Sequence, residues 1–224
     1  MRVMIADDSI IFRRGLRLLL EATGIDVLHD SGEVAELTLR LEQHRPDVCI
    51  LDVRMPPSYS DEGVEAAERI RDRWPTVGLV LLSTYVDTQW AERLLWTGEG
   101  GVGYLLKDRV NQVTDLVDAL HRVANGGTAL DPEIAAALVR RKRLMGQLDT
   151  LTARERRVLE LMAQGLSNAG IGGDMFVSDK TVETYVAAIH GKLGLSGGNA
   201  DRAHNRRVRA VLTYLHNTGR LPAP

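Results

Sequence analysis

Five polar side chains in the first half of the chain each follow a short apolar segment. They are Asp7 and Asp8 after VMIA, Asp52 after VCIL, Ser83 after VGLVLL and Lys107 after GYLL. Carboxylates brought together repel one another unless a cation lies between them, and oxygen ligands suit a hard ion such as Mg²⁺. A hydroxyl and an ammonium beside them could hold a phosphoryl group on Asp52.

Taken singly, each of these residues has an ordinary explanation. A lone Asp52 is more often a strand-end turn former or a helix cap, Ser83 a turn residue and Lys107 a surface lysine. The functional interpretation therefore depends on whether the fold brings the five side chains together.

Short apolar segments alternate with amphipathic stretches up to residue 125, which is typical of a parallel sheet covered on both faces. The predicted strands are 3–7, 25–30, 47–52, 77–83 and 101–107, and the predicted helices are 9–22, 32–44, 62–73, 87–97 and 110–125. We expect an α/β fold with a doubly wound five-stranded parallel sheet in the order 2-1-3-4-5. Strands one and three are then neighbours, so Asp7, Asp8 and Asp52 converge at the carboxyl edge.

With the segments ADDS, LDVRMPP, LLST and GYLLKD at these strand ends, residues 1–125 resemble the receiver domain of bacterial two-component response regulators. The resemblance implies that Asp52 accepts a phosphoryl group from the phosphohistidine of a sensor histidine kinase. It also implies that Asp7, Asp8 and Asp52 bind Mg²⁺ together with the backbone carbonyl of Arg54. Such a domain catalyses only its own phosphorylation and slow dephosphorylation, so we do not expect a turnover enzyme.

The same resemblance assigns three further residues to a switch. Ser83 would contact a phosphoryl oxygen, and Lys107 would pair with the phosphoryl group. Tyr104 matches the aromatic residue whose rotamer follows that serine, although an ordinary strand aromatic fits the same position. A charged group on Asp52 could draw Ser83 and Lys107 inward and bias the surface made by the fourth helix and fifth strand.

Residues 126–147 are predicted to be a partly helical linker between a first domain, 1–125, and a second domain, 148–224. The stretch NGGT ends the fifth helix, and DPEIAAAL begins another with an aspartate cap and a proline in the first helical position. The basic run at residues 140–143 fits a solvated helix end. A contact with DNA phosphate or with another domain is the alternative.

The second domain shows short helices with tight turns, which predicts a small all-α domain. Thr152 and Glu155 have capping-box spacing, and Ser178 is placed to cap a later helix. The segment LTARERRVLELMAQGLSNAGIGGDMFVSDKTVETYVAAIHGKLG resembles the LuxR-type helix-turn-helix of the NarL/FixJ response regulators. That resemblance implies a recognition helix after Ser178 for double-stranded promoter DNA. It also implies a homodimer, formed on phosphorylation and paired through the last helix, whose apolar stripe could equally be intradomain core.

The candidates for DNA contact in the recognition helix are Lys180, Thr181, Thr184 and Tyr185. Lys180 and Thr181 would meet phosphate near the positive end of the helix, and Thr184 could touch a thymine methyl group or a base edge. Tyr185 departs from the resemblance, because many members of the family have histidine there.

Gly170, Gly172 and Gly173 also depart from it, since the preceding helix commonly reads NxxIAxxL and here reads NAGIGGDM. Each glycine costs about 1 kcal/mol relative to alanine in a helix interior. Either tertiary packing holds the helix despite them, or the DNA-binding domain is weakened and depends on dimerisation or phosphorylation. On the second interpretation, alanine at Gly172 and Gly173 raises the thermal stability.

Composition limits the classes of function. Residues 1–147 carry 18 Lys+Arg against 23 Asp+Glu, whereas residues 148–224 carry 10 against 7, which permits nucleic-acid binding by the second part without requiring it. The single cysteine, Cys49, excludes an intramolecular disulfide and fits a reducing cytosol. No stretch approaches the ~18–20 apolar residues of a membrane span, and acidic residues come too early for a signal peptide. We therefore expect a cytoplasmic protein without a membrane partner.

Three functions remain open on the sequence alone. The first is a transcription factor controlled by phosphorylation, and the second is an atypical regulator that works without it and binds DNA weakly. The third is a phosphohydrolase of the haloacid dehalogenase type, which needs a second aspartate two residues after the nucleophile, where this chain has Arg54. The complete acidic, hydroxyl and lysine set favours the first function over the second.

Overall fold

The structure, a computed structural model, describes residues 1–96, 100–195 and 205–217. The chain divides into two units, Met1–Leu138 and Val139–Pro224. Within the described ranges, no helix is both long enough and apolar enough to cross a lipid bilayer. The domain limits and the linker inferred from the sequence remain predictions.

Six parallel strands form one sheet in the first unit, in the order β2-β1-β3-β4-β5-β6. The strands are β1 (Arg2–Ala6), β2 (Asp26–Ser31), β3 (Val48–Asp52), β4 (Gly78–Ser83), β5 (Val102–Leu106) and β6 (Thr128–Leu130). The predicted α/β class and the order of the first five strands are confirmed. The sheet has one strand more than predicted, because the three residues TAL of β6 are too few to give a strand signal.

Helices cover both faces of this sheet, as a doubly wound fold requires. They are α1 (Ile10–Ala22), α2 (Val34–His44), α3 (Glu62–Arg73), α4 (Thr88–Trp96) and α5 (Val113–Ala124). Apolar residues of α1 and α5 pack on one face, and those of α2, α3 and α4 pack on the other. The fifth helix begins later than predicted, because residues Lys107–Asn111 form a 3₁₀ turn before it.

Burial of β3 on both faces decides where its acidic end lies. The residues from Val48 to Leu51 are 0% exposed. In the register of the sheet, Leu51 pairs with Ala6 of β1 and Asp52 pairs with Leu82 of β4. A slip of one residue would carry the Asp52 carboxylate into the apolar interior, which is costly for an unpaired charge. The apolar run therefore holds Asp52 at the carboxyl edge.

The described helices of the second unit follow α6 (Pro132–Asp149), which spans the division between the units. They are α7 (Ala153–Ala163), α8 (Asn168–Met175), α9 (Asp179–Lys192) and α10 (Arg206–Asn217). Their apolar faces share one core, in which Val158, Ile171, Val182 and Ile189 are 0% exposed. The predicted small all-α domain is therefore confirmed.

Side-chain caps fix the start of each short helix from α7 to α9. The Thr152 hydroxyl accepts from the Glu155 N–H, and the Glu155 carboxylate accepts from the Thr152 N–H, which completes the predicted capping box. Ser167 and Ser178 each accept the backbone N–H three residues further on. Such caps contribute about 1 kcal/mol each, a large share for helices of this length.

The three glycines of α8 have different surroundings. A Cβ at Gly172 would lie 2.8 Å from the carbonyl oxygen of Val177, whereas a Cβ at Gly173 would meet nothing within 4 Å. At Gly170 a Cβ would make ordinary contact with Leu166 at 3.6 Å. The expectation that alanine stabilises α8 therefore does not hold for Gly172, because the chain turns back closely against that position before α9.

Gly173→Ala should raise the free energy of unfolding of the second unit by about 0.5–1 kcal/mol, since it removes the entropic cost of an exposed helical glycine. Gly172→Ala should lower that free energy, because the new methyl group must displace backbone. Urea unfolding of the full chain, followed by circular dichroism, gives both values. Equal effects of the two substitutions would contradict the different packing of these glycines.

Candidate functional site

The three predicted acidic residues converge at the carboxyl edge of the sheet. One carboxylate oxygen from each of Asp7, Asp8 and Asp52 lies within 4.8 Å of the others. Asp7 is 1% exposed and Asp52 is 7% exposed, whereas Asp8 is open to solvent. Behind them, Gly63 lets α3 approach β3 so closely that a Cβ there would lie 1.8 Å from the Asp52 carbonyl oxygen. The end of β3 is therefore tightly enclosed.

Lys107 reaches this cluster from the end of β5. Its Nζ lies 2.7 Å from Asp7 Oδ2 and 2.9 Å from Asp52 Oδ2, and 4.7 Å from the ring centre of Phe12. The contact with Asp7 is an ion pair without hydrogen-bond alignment, since the buried Oδ2 of Asp7 has no hydrogen-bond partner among the described residues. The predicted meeting of Lys107 with the acidic cluster is thus present in the structure.

The electrostatics of the cluster favour an added cation. Burial, with a smaller contribution from the charges of Asp7 and Asp8, raises the pKa of Asp52 to about 6, against the opposing hydrogen bond and charge of Lys107. Burial also raises the pKa of Asp7. Burial lowers the pKa of Lys107, but its contacts with the carboxylates of Asp7 and Asp52 outweigh that effect and raise the pKa overall. One ammonium therefore faces three carboxylates, a donor set of oxygens alone that fits Mg²⁺.

Ser83 is the last residue of β4, and Tyr104 lies in the middle of the neighbouring strand β5. The Ser83 hydroxyl donates to the Tyr85 carbonyl at 2.8 Å and accepts from the Tyr85 N–H at 3.1 Å. Tyr104 is 0% exposed, and burial raises its pKa to about 12. Its hydroxyl lies near Ser83 and Asp87 without an aligned hydrogen bond. The serine is thus held by its own loop in this conformation.

Arg54 contributes a feature that the sequence does not predict. Its guanidinium carbon lies 5.2 Å from the ring centre of Tyr85 and 5.2 Å from that of Trp90. No spacing in the sequence signals this contact, because the two rings belong to the β4–α4 loop and to α4. The role of the Arg54 carbonyl as a metal ligand remains a prediction.

The four predicted DNA-contacting residues share the first half of α9 but not one exposed surface. Lys180 and Thr184 are exposed, and the Thr184 hydroxyl donates to the Lys180 carbonyl at 3.0 Å. Thr181 is half-buried and its hydroxyl lies 2.9 Å from that of Ser178, within the cap. Tyr185 is half-buried, and its hydroxyl accepts from Arg154 Nη1 at 3.3 Å. Their DNA contacts remain predictions.

A partly buried ion pair fixes α9 to the start of α7. Lys192 Nζ lies 2.6 Å from Glu155 Oε2 and donates to the Thr150 carbonyl at 3.1 Å. The bond from Lys192 lowers the pKa of Glu155. The sequence predicts the capping role of Glu155 but gives no signal for its pairing with Lys192, because 37 residues separate them. The capping box therefore also positions the proposed recognition helix.

The chain matches the family model of the response regulator receiver domain over residues 3–121, and that of the bacterial regulatory proteins of the luxR family over residues 149–199. The chain belongs to the NarL/FixJ response regulators. The DNA-binding transcriptional activator DevR/DosR of Mycobacterium tuberculosis is 36% identical over 200 residues, covering 87% of this regulator and 88% of the relative. The oxygen regulatory protein NreC of Staphylococcus carnosus is 32% identical over 205 residues, which cover 87% of this regulator and 92% of NreC.

Solved structures of the response regulator RcsB are similar to this regulator along most of its length. An RcsB structure from Salmonella typhimurium gives a TM-score of 0.67 at 25% identity, covering 96% of this regulator and 98% of that chain. An RcsB–DNA complex gives a TM-score of 0.59 at 25% identity, and the match covers 97% of this regulator and 98% of that chain. The family resemblance read from the four receiver segments and the helix-turn-helix segment is confirmed.

Asp52→Asn should stabilise this regulator in EDTA at pH 7.5, by roughly 2–4 kcal/mol, because the folded state raises the Asp52 pKa from 3.8 to about 6. A carboxyl group with a raised folded-state pKa contributes its full stability below the unfolded-state pKa and loses it as the pH rises through the folded-state pKa. The advantage of the variant should therefore vanish near pH 4 and be complete above pH 6.5 or so.

Chemical unfolding at several pH values measures this difference. Asp118→Asn, which changes an exposed aspartate of α5, is the matched control and should stay within about 0.5 kcal/mol of wild type at each pH. If Asp52→Asn stabilises the regulator by the same free energy at every pH, burial of a charged carboxylate at position 52 is not the cause.

Proposed function

We propose that phosphorylation of Asp52 by a sensor histidine kinase controls DNA binding by the LuxR-type domain. The observation that carries the proposal is the convergence of Asp7, Asp8 and Asp52 on Lys107 at the carboxyl edge of the sheet. Cytoplasmic location and homodimer formation on phosphorylation belong to the same proposal. The exposed apolar residues Val208 and Leu212 of α10 support a dimer contact there.

The proposed chemistry is transfer of a phosphoryl group to a carboxylate. An oxygen of Asp52 attacks the phosphorus of a phosphohistidine, a P–O bond forms, the P–N bond breaks, and the imidazole leaves. Asp7, Asp8, Asp52 and the Arg54 carbonyl would hold Mg²⁺, which neutralises charge on the phosphoryl oxygens when bound. The regulator would thus promote its own modification without acting as a turnover enzyme.

Two groups of the chain would stabilise the phosphoryl group once it is on Asp52. Lys107 already pairs with Asp52 at 2.9 Å, so a small shift of Nζ lets it pair with a phosphoryl oxygen instead. Ser83 would donate its hydroxyl to another oxygen after leaving the Tyr85 carbonyl. Tyr104 would then reorient toward the space that Ser83 vacates.

The proposed DNA contacts lie in the first half of α9. Lys180 would contact phosphate as an exposed cation near the positive end of the helix, and Thr181 would add a contact from the cap. Thr184 and Tyr185 would lie further along the groove, where Thr184 can meet a base edge. Support comes from the match to the LuxR-type family model and from the likeness to an RcsB–DNA complex.

Acetyl phosphate with Mg²⁺ should add one phosphoryl group to the full chain, seen by intact mass spectrometry, and EDTA should prevent it. Asp52→Ala should abolish the adduct, whereas Asp118→Ala, at an exposed site on α5, should retain it. Rapid release of many equivalents of phosphate would instead indicate a hydrolase. A wild type that forms no adduct would indicate a regulator that works without phosphorylation.

Lys180→Ala should weaken DNA binding about equally for all sequences and reduce the slope of log affinity against log salt by about 1, because one phosphate contact is lost. Lys142→Ala in the basic run of α6 is the matched control, since it removes another exposed lysine. Fluorescence anisotropy at several salt concentrations gives both slopes. The assignment of the phosphate contact to α9 fails if only Lys142→Ala changes the slope.

A further inference from the structure

Arg54 lies between two aromatic rings that belong to other elements of the fold. Its guanidinium carbon is 5.2 Å from the ring centres of both Tyr85 and Trp90. Arg54 follows Asp52 by two residues, Tyr85 lies in the loop after β4, and Trp90 lies in the first turn of α4. We call these three residues, Arg54, Tyr85 and Trp90, the Arg54 clamp.

The Arg54 clamp is connected to Ser83 through the backbone of Tyr85. The Ser83 hydroxyl donates to the Tyr85 carbonyl at 2.8 Å and accepts from the Tyr85 N–H at 3.1 Å. A serine hydroxyl has one proton to donate, so it cannot serve this carbonyl and a phosphoryl oxygen at the same time. Turning Ser83 toward a group on Asp52 therefore breaks a bond that holds Tyr85 beside Arg54.

Helix α4 has a second attachment, near its other end. Arg93 contacts Glu68 of α3 through two bonds, Nε to Oε1 at 2.9 Å and Nη2 to Oε2 at 2.8 Å, and it also pairs with Asp61. A two-bond arginine–carboxylate contact is stronger than an exposed cation–π contact. The clamp is therefore the weaker of these two attachments of α4.

We propose that Arg54 is a positioning residue whose side chain holds the Tyr85 loop and the start of α4 in the resting regulator, and that a phosphoryl group on Asp52 opens this clamp through Ser83. The inference rests on the proposed phosphorylation of Asp52. The Arg54 carbonyl belongs to the proposed Mg²⁺ site, whereas its guanidinium acts on the rings. One residue thus connects the acidic cluster to the surface of α4.

Fluorine NMR of the full chain labelled with fluorotryptophan tests the clamp directly. The chain has three tryptophans, so the Trp90 signal is assigned as the one missing from Trp90→Phe. Beryllofluoride with Mg²⁺ is the phosphoryl mimic, and its own fluorine signal reports binding in the same spectrum. Occupancy of the site and the surroundings of Trp90 are therefore measured together.

In wild type, the Trp90 signal should shift as beryllofluoride binds. Arg54→Ala keeps the backbone carbonyl. In this variant, the Trp90 signal should lie, before any beryllofluoride is added, near the chemical shift that it has in the beryllofluoride-bound wild type. Half-saturation should then need roughly 5- to 30-fold less beryllofluoride, because the resting state has lost its cation–π contacts. Arg54→Lys keeps a cation and should restore part of the resting signal.

Tyr85→Leu removes one of the two rings and gives an independent measurement. It should also lower the half-saturating concentration, and this effect should disappear in the Arg54→Ala background, because the two residues act through one contact. Circular dichroism checks that the variants are folded. If Arg54→Ala does not fold, the Trp90 signal and the half-saturating beryllofluoride concentration are compared between wild type, Tyr85→Leu and Arg54→Lys.

Several outcomes would overturn the clamp while leaving the proposed phosphorylation intact. They are a Trp90 signal that does not move while bound beryllofluoride is visible, wild-type behaviour of Arg54→Ala, and fully additive effects of Arg54→Ala and Tyr85→Leu. A wild type that shows no bound beryllofluoride with Mg²⁺ contradicts the proposed phosphorylation itself, and the role of the clamp with it.

Discussion

Repulsion among three carboxylates at one edge of the sheet is the constraint on which the first unit depends. Asp7, Asp8 and Asp52 lie within 4.8 Å of one another, and two of them are buried. At such distances each pair of full charges repels by roughly 3–4 kcal/mol at the effective dielectric constant of a protein surface. Lys107 offsets part of this repulsion by contacting two carboxylates at once. The excess negative charge that remains favours a cation at this site.

The rest of the first unit keeps these charges together in spite of their repulsion. The apolar runs of β1 and β3 are buried on both faces, so the carboxylates cannot separate without exposing the core. Gly63 allows α3 to close over the end of β3, and the 3₁₀ turn after β5 carries Lys107 to the cluster. Burial of apolar surface therefore stabilises an arrangement of charges that would be unfavourable alone. A cation bound between the carboxylates would lower this electrostatic energy.

In the second unit, the corresponding constraint is the position of the short helix α8, which tertiary contacts must hold in place. Helix α8 contains three glycines, so its own helical propensity is low. Its position depends instead on the Ser167 cap and on Ile171, which is 0% exposed in the shared core. Helix α9 is fixed at its start by Ser178 and near its end by the pair between Lys192 and Glu155. Tertiary contacts thus supply what the sequence of α8 lacks.

The amino-acid sequence alone predicts the α/β class, the first five strands in their order, the acidic cluster and the helical second domain. The class and the helical second domain follow from local patterns, namely apolar runs of strand length and cap residues. The strand order, and with it the acidic cluster, follows from the order expected of a doubly wound sheet. Four features are visible only in the folded chain: the three-residue strand β6, the close approach at Gly172, the pairing of Glu155 with Lys192, and the placement of Arg54 between Tyr85 and Trp90. Each of these depends on distances between segments remote in the chain, and such distances are set by packing, which no local pattern of residues encodes.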